Sequence, residues 1–177
     1  MSKKAETQDR TILYAQPYQI GADGFYFEDA EAYAAKAEAA RNHWGEPVEE
    51  FEIQFIDGEA IDAALFEAVG VHQGDIAAFF DAAQDWDDHQ KRVVIIAAGE
   101  CGYTFNLAID TPDDLEVDIY DMDSLTALAA HFVDEGLFGD IPERLQFYID
   151  YEAIGRDLGM DYTLTNIAGD TLIYRAH

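Results

Sequence analysis

With 177 residues, 49% hydrophobic and 13% aromatic, the chain is long enough for one large domain or two to three small ones, and too apolar to be a disordered acidic tail. Its 37 Asp and Glu stand against 10 Lys and Arg, a formal net charge of -27 with a pI near 4.1. That sign excludes direct binding to nucleic acid or to an anionic membrane surface, both of which require basic patches.

In chain order, the first ten residues, with Lys3 and Lys4, read as a loose polar start. The apolar run that follows, Thr11–Ala15, is too short for a secretory leader. It reads instead as a strand that stops at Pro17, and Gly21 and Gly24 bracket a turn into a short aromatic strand ending at Phe27. Asp29 suits the N-cap of an Ala-rich helix over Ala30–Asn42, which ends near Gly45 and Pro47. Phe51, Ile53 and Phe55 alternate with Glu52 and Gln54, the period of a half-buried strand.

From Glu59 the period becomes helical. Ile61, Leu65 and Phe66 form one stripe, broken at Gly70; Ile76, Phe79, Phe80 and Ala83 form a second on a helix starting at Asp75. The continuous run Val93–Ile96 reads as a buried strand, and Val117–Tyr120 as another. Asp123 is the expected cap of a helix that turns Leu125, Leu128 and Phe132 inward. Pro142 opens a short helix, Asp150–Leu158 forms another, and a hairpin of Tyr162–Thr165 and Leu172–Tyr174 turns at Ala168–Asp170. The expected fold is α+β with short antiparallel sheets, in three small consecutive domains: 1–58 α+β, 59–91 helical, 92–177 α+β.

Few residues suggest catalysis or metal binding. A single cysteine, Cys101, excludes an internal disulfide and fits a reducing cytoplasm. Between Gly99 and Gly102 it reads as a small residue in a tight turn, not as a nucleophile served by His72, His89 or His131. The five His lack zinc-site spacing, and Asp118, Asp121 and Asp123 lack the Gly and terminal Glu of a calcium loop. No stretch approaches the ~20 apolar residues of a membrane span. A cytoplasmic protein without cofactor, metal or enzymatic activity is expected.

The acids carry the information. Residues 1–58 hold 12 acids and 5 Lys or Arg, whereas 59–177 hold 25 and 5. Two exposed carboxylates ~6 Å apart repel by ~0.7 kcal/mol in water before screening, so the excess is a standing cost to folding. Asp81, Asp85 and Asp88 recur at i, i+4, i+7, the spacing of one column on a helix opposite its apolar stripe. Asp113, Asp114, Glu116, Asp118 and Asp121 form a second group; Asp134, Glu135, Asp140, Glu143, Asp150 and Asp157 form a third. B-DNA carries one charge per ~1.7 Å of axis, so a net charge of this size matches roughly 46 Å of duplex. These fourteen acids are the candidate partner-binding residues, standing in for phosphates. A halophilic acid coat, or an acidic surface for another basic DNA-binding partner on the same scaffold, is the alternative.

The segment Phe132-Val-Asp-Glu-Gly-Leu-Phe-Gly-Asp-Ile-Pro-Glu143, continuing through Tyr148-Ile-Asp-Tyr-Glu-Ala-Ile-Gly-Arg-Asp-Leu158 to Met160-Asp-Tyr-Thr163, resembles the C-terminal signature of the ArdA antirestriction proteins. Glu49-Glu-Phe-Glu-Ile-Gln-Phe-Ile-Asp-Gly58 is similar to the strand closing that family's first domain. The resemblance implies an elongated, dimeric DNA mimic that occupies the DNA groove of type I restriction-modification enzymes at their methyltransferase core. In the signature, Tyr148, Tyr151, Ile154 and Leu158 are expected to serve the core or the dimer contact.

Overall fold

The computed structural model describes residues 10–177. The polar start with Lys3 and Lys4 lies outside them. By contacts the chain divides into two compact units, one ending at Asp114 and the other spanning Leu115–His177. The first contains both the α+β segment and the helical segment read from the sequence.

In the first unit, β1 (Ile12–Pro17) is the central strand of an antiparallel sheet, between β2 (Phe25–Phe27) and β3 (Phe51–Asp57). Leu13, Ala15 and Pro17 face inward in strict alternation. The register shifts between Ile12, opposite Asp57, and Leu13, opposite Phe55; the bulge leaves Ile56 exposed. Helix α1 (Ala30–Ala39) is capped by Asp29, whose carboxylate accepts the Ala32 N–H at 2.7 Å. It ends three residues short of the expected Asn42, because Ala40 turns extended.

Helix α2 (Ala60–Val69) stops at Gly70, which takes a left-handed φ of 65° and donates to the Phe66 and Glu67 carbonyls. Helix α3 (Ile76–Asp85) lays Phe79 into the interior. Phe55, Phe66 and Phe79 meet with ring centroids 5.3–6.5 Å apart, and Phe80 touches Phe27 at 6.2 Å. Sheet and helices therefore share one aromatic core.

The expected strand at Val93–Ile96 is helical. Asp87 and Gln90 form a reciprocal capping box that starts α4 (Asp88–Val94), and a π-helical turn (Ile95–Glu100) continues it. Val93 through Ala97 are all buried. An element buried on every side shows no periodicity, so a short apolar run is compatible with either strand or helix. The capping box decides for helix.

Helix α4 is fastened by Lys91. Its ammonium lies 2.6 Å from a carboxylate oxygen of Asp62 on α2 and donates to the Ala83 carbonyl on α3 at 2.8 Å. Both side chains of this ion pair are buried. One cation thus joins three helices.

In the second unit, β4 (Val117–Tyr120), β6 (Asp170–Ala176) and β5 (Thr163–Ile167) form an antiparallel sheet in that order. Helix α5 (Leu125–Asp134) is capped by Ser124, not by the expected Asp123: the Ser124 hydroxyl accepts the Ala127 N–H at 3.2 Å. The short α6 (Glu143–Gln146) and α7 (Tyr151–Leu158) follow. Leu128, Phe132 and Ile173 form the buried centre, packed by Tyr120, Met122, Leu125, Leu158 and Tyr162. Gly155 lets α7 approach α5: a methyl there would stand 3.0 Å from the Leu125 carbonyl carbon and the Thr126 nitrogen. The β5–β6 turn uses Ala168 and Gly169, both with positive φ (54° and 95°), as a two-residue hairpin turn requires.

Candidate functional site: an exposed carboxylate surface

Every Asp and Glu among the described residues is exposed except Asp62, which is buried with Lys91, and Asp75, which is half-buried beside His72. All fourteen candidate acids are therefore at the surface. They do not form one patch by position in the chain: Asp81, Asp85, Asp88, Asp113 and Asp114 belong to the first unit, the other nine to the second.

Asp81 and Asp85 lie one turn apart on α3, on the lip of a groove lined by Ala77, Ala78, Ala82, Trp86 and Leu107. The expected column ends there. Trp86 leaves the helix with extended backbone and Asp87 caps α4, so Asp88 stands in the first turn of a different helix. The i, i+7 relation holds only within one continuous helix, and this one breaks after Asp85.

Asp113 and Asp114 sit on the 3-10 turn Pro112–Asp114, which its buried proline pins down. Asp118 projects from β4 and meets the His177 imidazole at 3.0 Å, while Glu116 and Asp121 flank that strand. Asp134 ends α5, Glu135 follows it, and Asp140 and Glu143 lie on the connection to α6 and in its first turn. Asp150 also serves the fold, since its carboxylate caps α7 by accepting the Ala153 N–H at 2.9 Å. Asp157 is exposed on the same helix.

Several basic side chains bind something other than a surface acid. Lys36 donates to the Tyr26 carbonyl at 2.7 Å, and Arg41 to the Glu38 and Ala40 carbonyls at 2.8 Å. Lys91 is buried, whereas Arg175 lies over the Tyr162 ring at 5.7 Å within the field of Asp118 and Asp161. Arg10 pairs with Glu28 at the surface. The surface acids thus greatly outnumber the cations that could screen them.

The signature residues divide. Leu158 packs against the core of the second unit, Tyr151 and Ile154 are half-buried, and Tyr148 is 83% exposed. Tyr148 belongs to an apolar set that sequence patterns do not single out, with Leu137, Phe138, Leu145 and Phe147, all exposed between α5 and α7. The available signal is the absence of any period that could bury them. The Asp62–Lys91 pair is equally hidden in the sequence, because nothing local marks two residues 29 positions apart as partners.

Among the described residues no helix is long and apolar enough to cross a membrane, and no three His, Cys, Asp or Glu side chains gather as a metal site. The profile of the family described as antirestriction protein (ArdA) matches residues 27–171. No curated protein matches the chain. The chain belongs to the ArdA antirestriction family.

Proposed function

We propose that this family member inhibits type I restriction-modification enzymes as a DNA mimic, its surface carboxylates occupying the DNA groove of the methyltransferase core in place of phosphates. The observation that carries this reading is the exposure of almost every acid among the described residues while Lys36, Arg41 and Lys91 are engaged elsewhere. Such a surface attracts a Lys- and Arg-lined groove at long range and releases counterions on contact. Inhibition therefore weakens as salt rises. Binding and competition suffice for this function, with no catalytic step, cofactor or metal.

A homodimer, residing in the cytoplasm, belongs to the same proposal. Leu137, Phe138, Phe147 and Tyr148 support it, because exposed apolar side chains clustered in one stretch favour burial against a partner. The segments 1–58, 59–91 and 92–177 would then act as three successive stretches of mimicry. A different basic DNA-binding protein as the target is the second reading, favoured by the same charge.

The test is cleavage of unmodified DNA by a type I enzyme with equimolar protein present. Cleavage should stop, and the block should relax as salt is raised. Unchanged cleavage, with tight binding to another DNA-processing enzyme, would transfer the reading to the second target class.

A further inference from the structure

Two loops of the first unit lie side by side, one between β1 and β2, the other between α1 and β3. Ala22 pairs with Asn42 and Arg41 with Pro47, and the His43 N–H donates to the Gly21 carbonyl at 2.7 Å. Asn42, only 5% exposed, organises the second loop. Its carboxamide oxygen accepts the backbone N–H of Trp44 (3.0 Å) and Glu46 (2.9 Å), and its nitrogen donates to the Glu46 carboxylate at 2.8 Å. This web holds Trp44 outward on an ordered backbone, with its ring against Gly21, where an added methyl would come within 3.0 Å.

The result is unusual for so charged a surface. Trp44 is 71% exposed, Tyr18 66% and Ile20 85%. Glu46, Glu49 and Glu50, all exposed, belong to the same loop as Trp44; Tyr18, Glu49 and Glu50 line one groove with Gln19 and Pro47, and the Gln19 amide reaches the Glu46 carboxylate at 3.5 Å. Arg41, on the same loop, is turned onto the carbonyls of Glu38 and Ala40.

We infer that this face is a contact surface for an arginine-bearing segment of a partner protein. A guanidinium can stack on an indole or phenol ring while its fork pairs with a carboxylate, and this face presents both groups together. Lysine, a hydrated point charge, gains less from the rings. A purely apolar partner would strand the three glutamates, and a nucleic acid would be repelled by them. Trp and Tyr are also the residues that most often dominate protein interfaces. The inference is independent of phosphate mimicry, which uses carboxylates alone; Tyr18 and Ile20 also precede the stretch matched by the family profile.

The chain has two tryptophans, so Trp86→Phe leaves Trp44 as the sole indole reporter. Titrating that full-length variant with an oligoarginine peptide should shift Trp44 emission. Calorimetry on the unsubstituted chain should find oligoarginine bound more tightly than oligolysine of equal length, with the preference surviving at ~500 mM salt, where charge attraction alone is largely screened. Tyr18→Ala/Trp44→Ala should lose about tenfold in oligoarginine affinity with an unchanged circular dichroism spectrum. Asp123→Asn/Asp161→Asn, which removes charge from the second unit at acids outside the fourteen candidates, should leave the arginine preference intact. Equal affinity for the two peptides, a silent Trp44, or undiminished binding by the aromatic double variant would each overturn the inference.

Discussion

The two units carry a similar net charge for their length, -17 over 114 residues and -10 over 63, on different interiors. In the first, Phe55, Phe66 and Phe79 join sheet to helices, Val93 to Ala97 are buried without interruption, and the Asp62–Lys91 pair ties three helices together. In the second, a small centre at Leu128, Phe132 and Ile173 supports two short helices, while Leu137, Phe138, Phe147 and Tyr148 stay in solvent. Carboxylate repulsion opposes compaction in both. The first unit offsets it with burial. The second buries less for its size and leaves an apolar stretch exposed between α5 and α7.

The contrast between the units breaks most sharply at Lys91. Lys91→Met leaves Asp62 buried beside an apolar neighbour and should cost the first unit about 3–5 kcal/mol in urea unfolding. Asp62→Leu/Lys91→Met, which removes both charges, should recover most of that loss. If the double variant is as weak as the single one, the loss comes from Lys91's own contacts, such as its bond to the Ala83 carbonyl, and not from the unpaired Asp62.

In the second unit α5 and α7 cross closely at Gly155. Gly155→Ala places a methyl 3.0 Å from the α5 backbone and should destabilise this unit by about 1–3 kcal/mol, read as faster amide exchange in α5 and α7. Unchanged protection there would show that the crossing has slack. A gain is available nearby. Ala168 is held at positive φ, so Ala168→Asn should stabilise the hairpin by roughly 0.5–1 kcal/mol in thermal unfolding.

On α3, Asp81→Asn/Asp85→Asn removes a like-charge pair one turn apart and should raise stability by only about 0.3 kcal/mol. It should also weaken inhibition of the target enzyme. Inhibition equal to that of the unsubstituted chain would remove these two acids from the mimicking surface.

The smallest effect is expected at alkaline pH. Burial, with Tyr162 adding to it, raises the Tyr120 phenol above its ordinary value of 10.0, and burial does the same for Tyr33 in the first unit. A raised folded value means that the neutral phenol is preferred in the folded state. Its contribution is complete below the unfolded value and is lost as pH rises through the folded one. Tyr120→Phe should flatten the alkaline fall in stability of the second unit only.

Much of this architecture is legible in the sequence because its causes are local. The alternation over Phe51–Phe55, the cap at Asp29, the stop at Gly70 and the hairpin at Ala168–Gly169 each depend on neighbours within a few residues. Ser124 in place of Asp123 is a difference of one residue between two good capping types. The helix at Val93–Ile96, where a strand is expected, has a different origin, since burial on all sides erases the period that separates strand from helix. The carboxylate column ends at Trp86, because helical periodicity does not carry across an extended residue.

By itself, then, the sequence determined the sign and size of the charge, the α+β class, the type and approximate place of most elements, and the family. These follow from composition, short-range periodicity and a long contiguous match. Tertiary structure alone decided that Lys91 is buried against Asp62, and that Trp44 and Tyr148 are exposed. Each depends on which distant segments pack together, and therefore on contacts that no local pattern encodes.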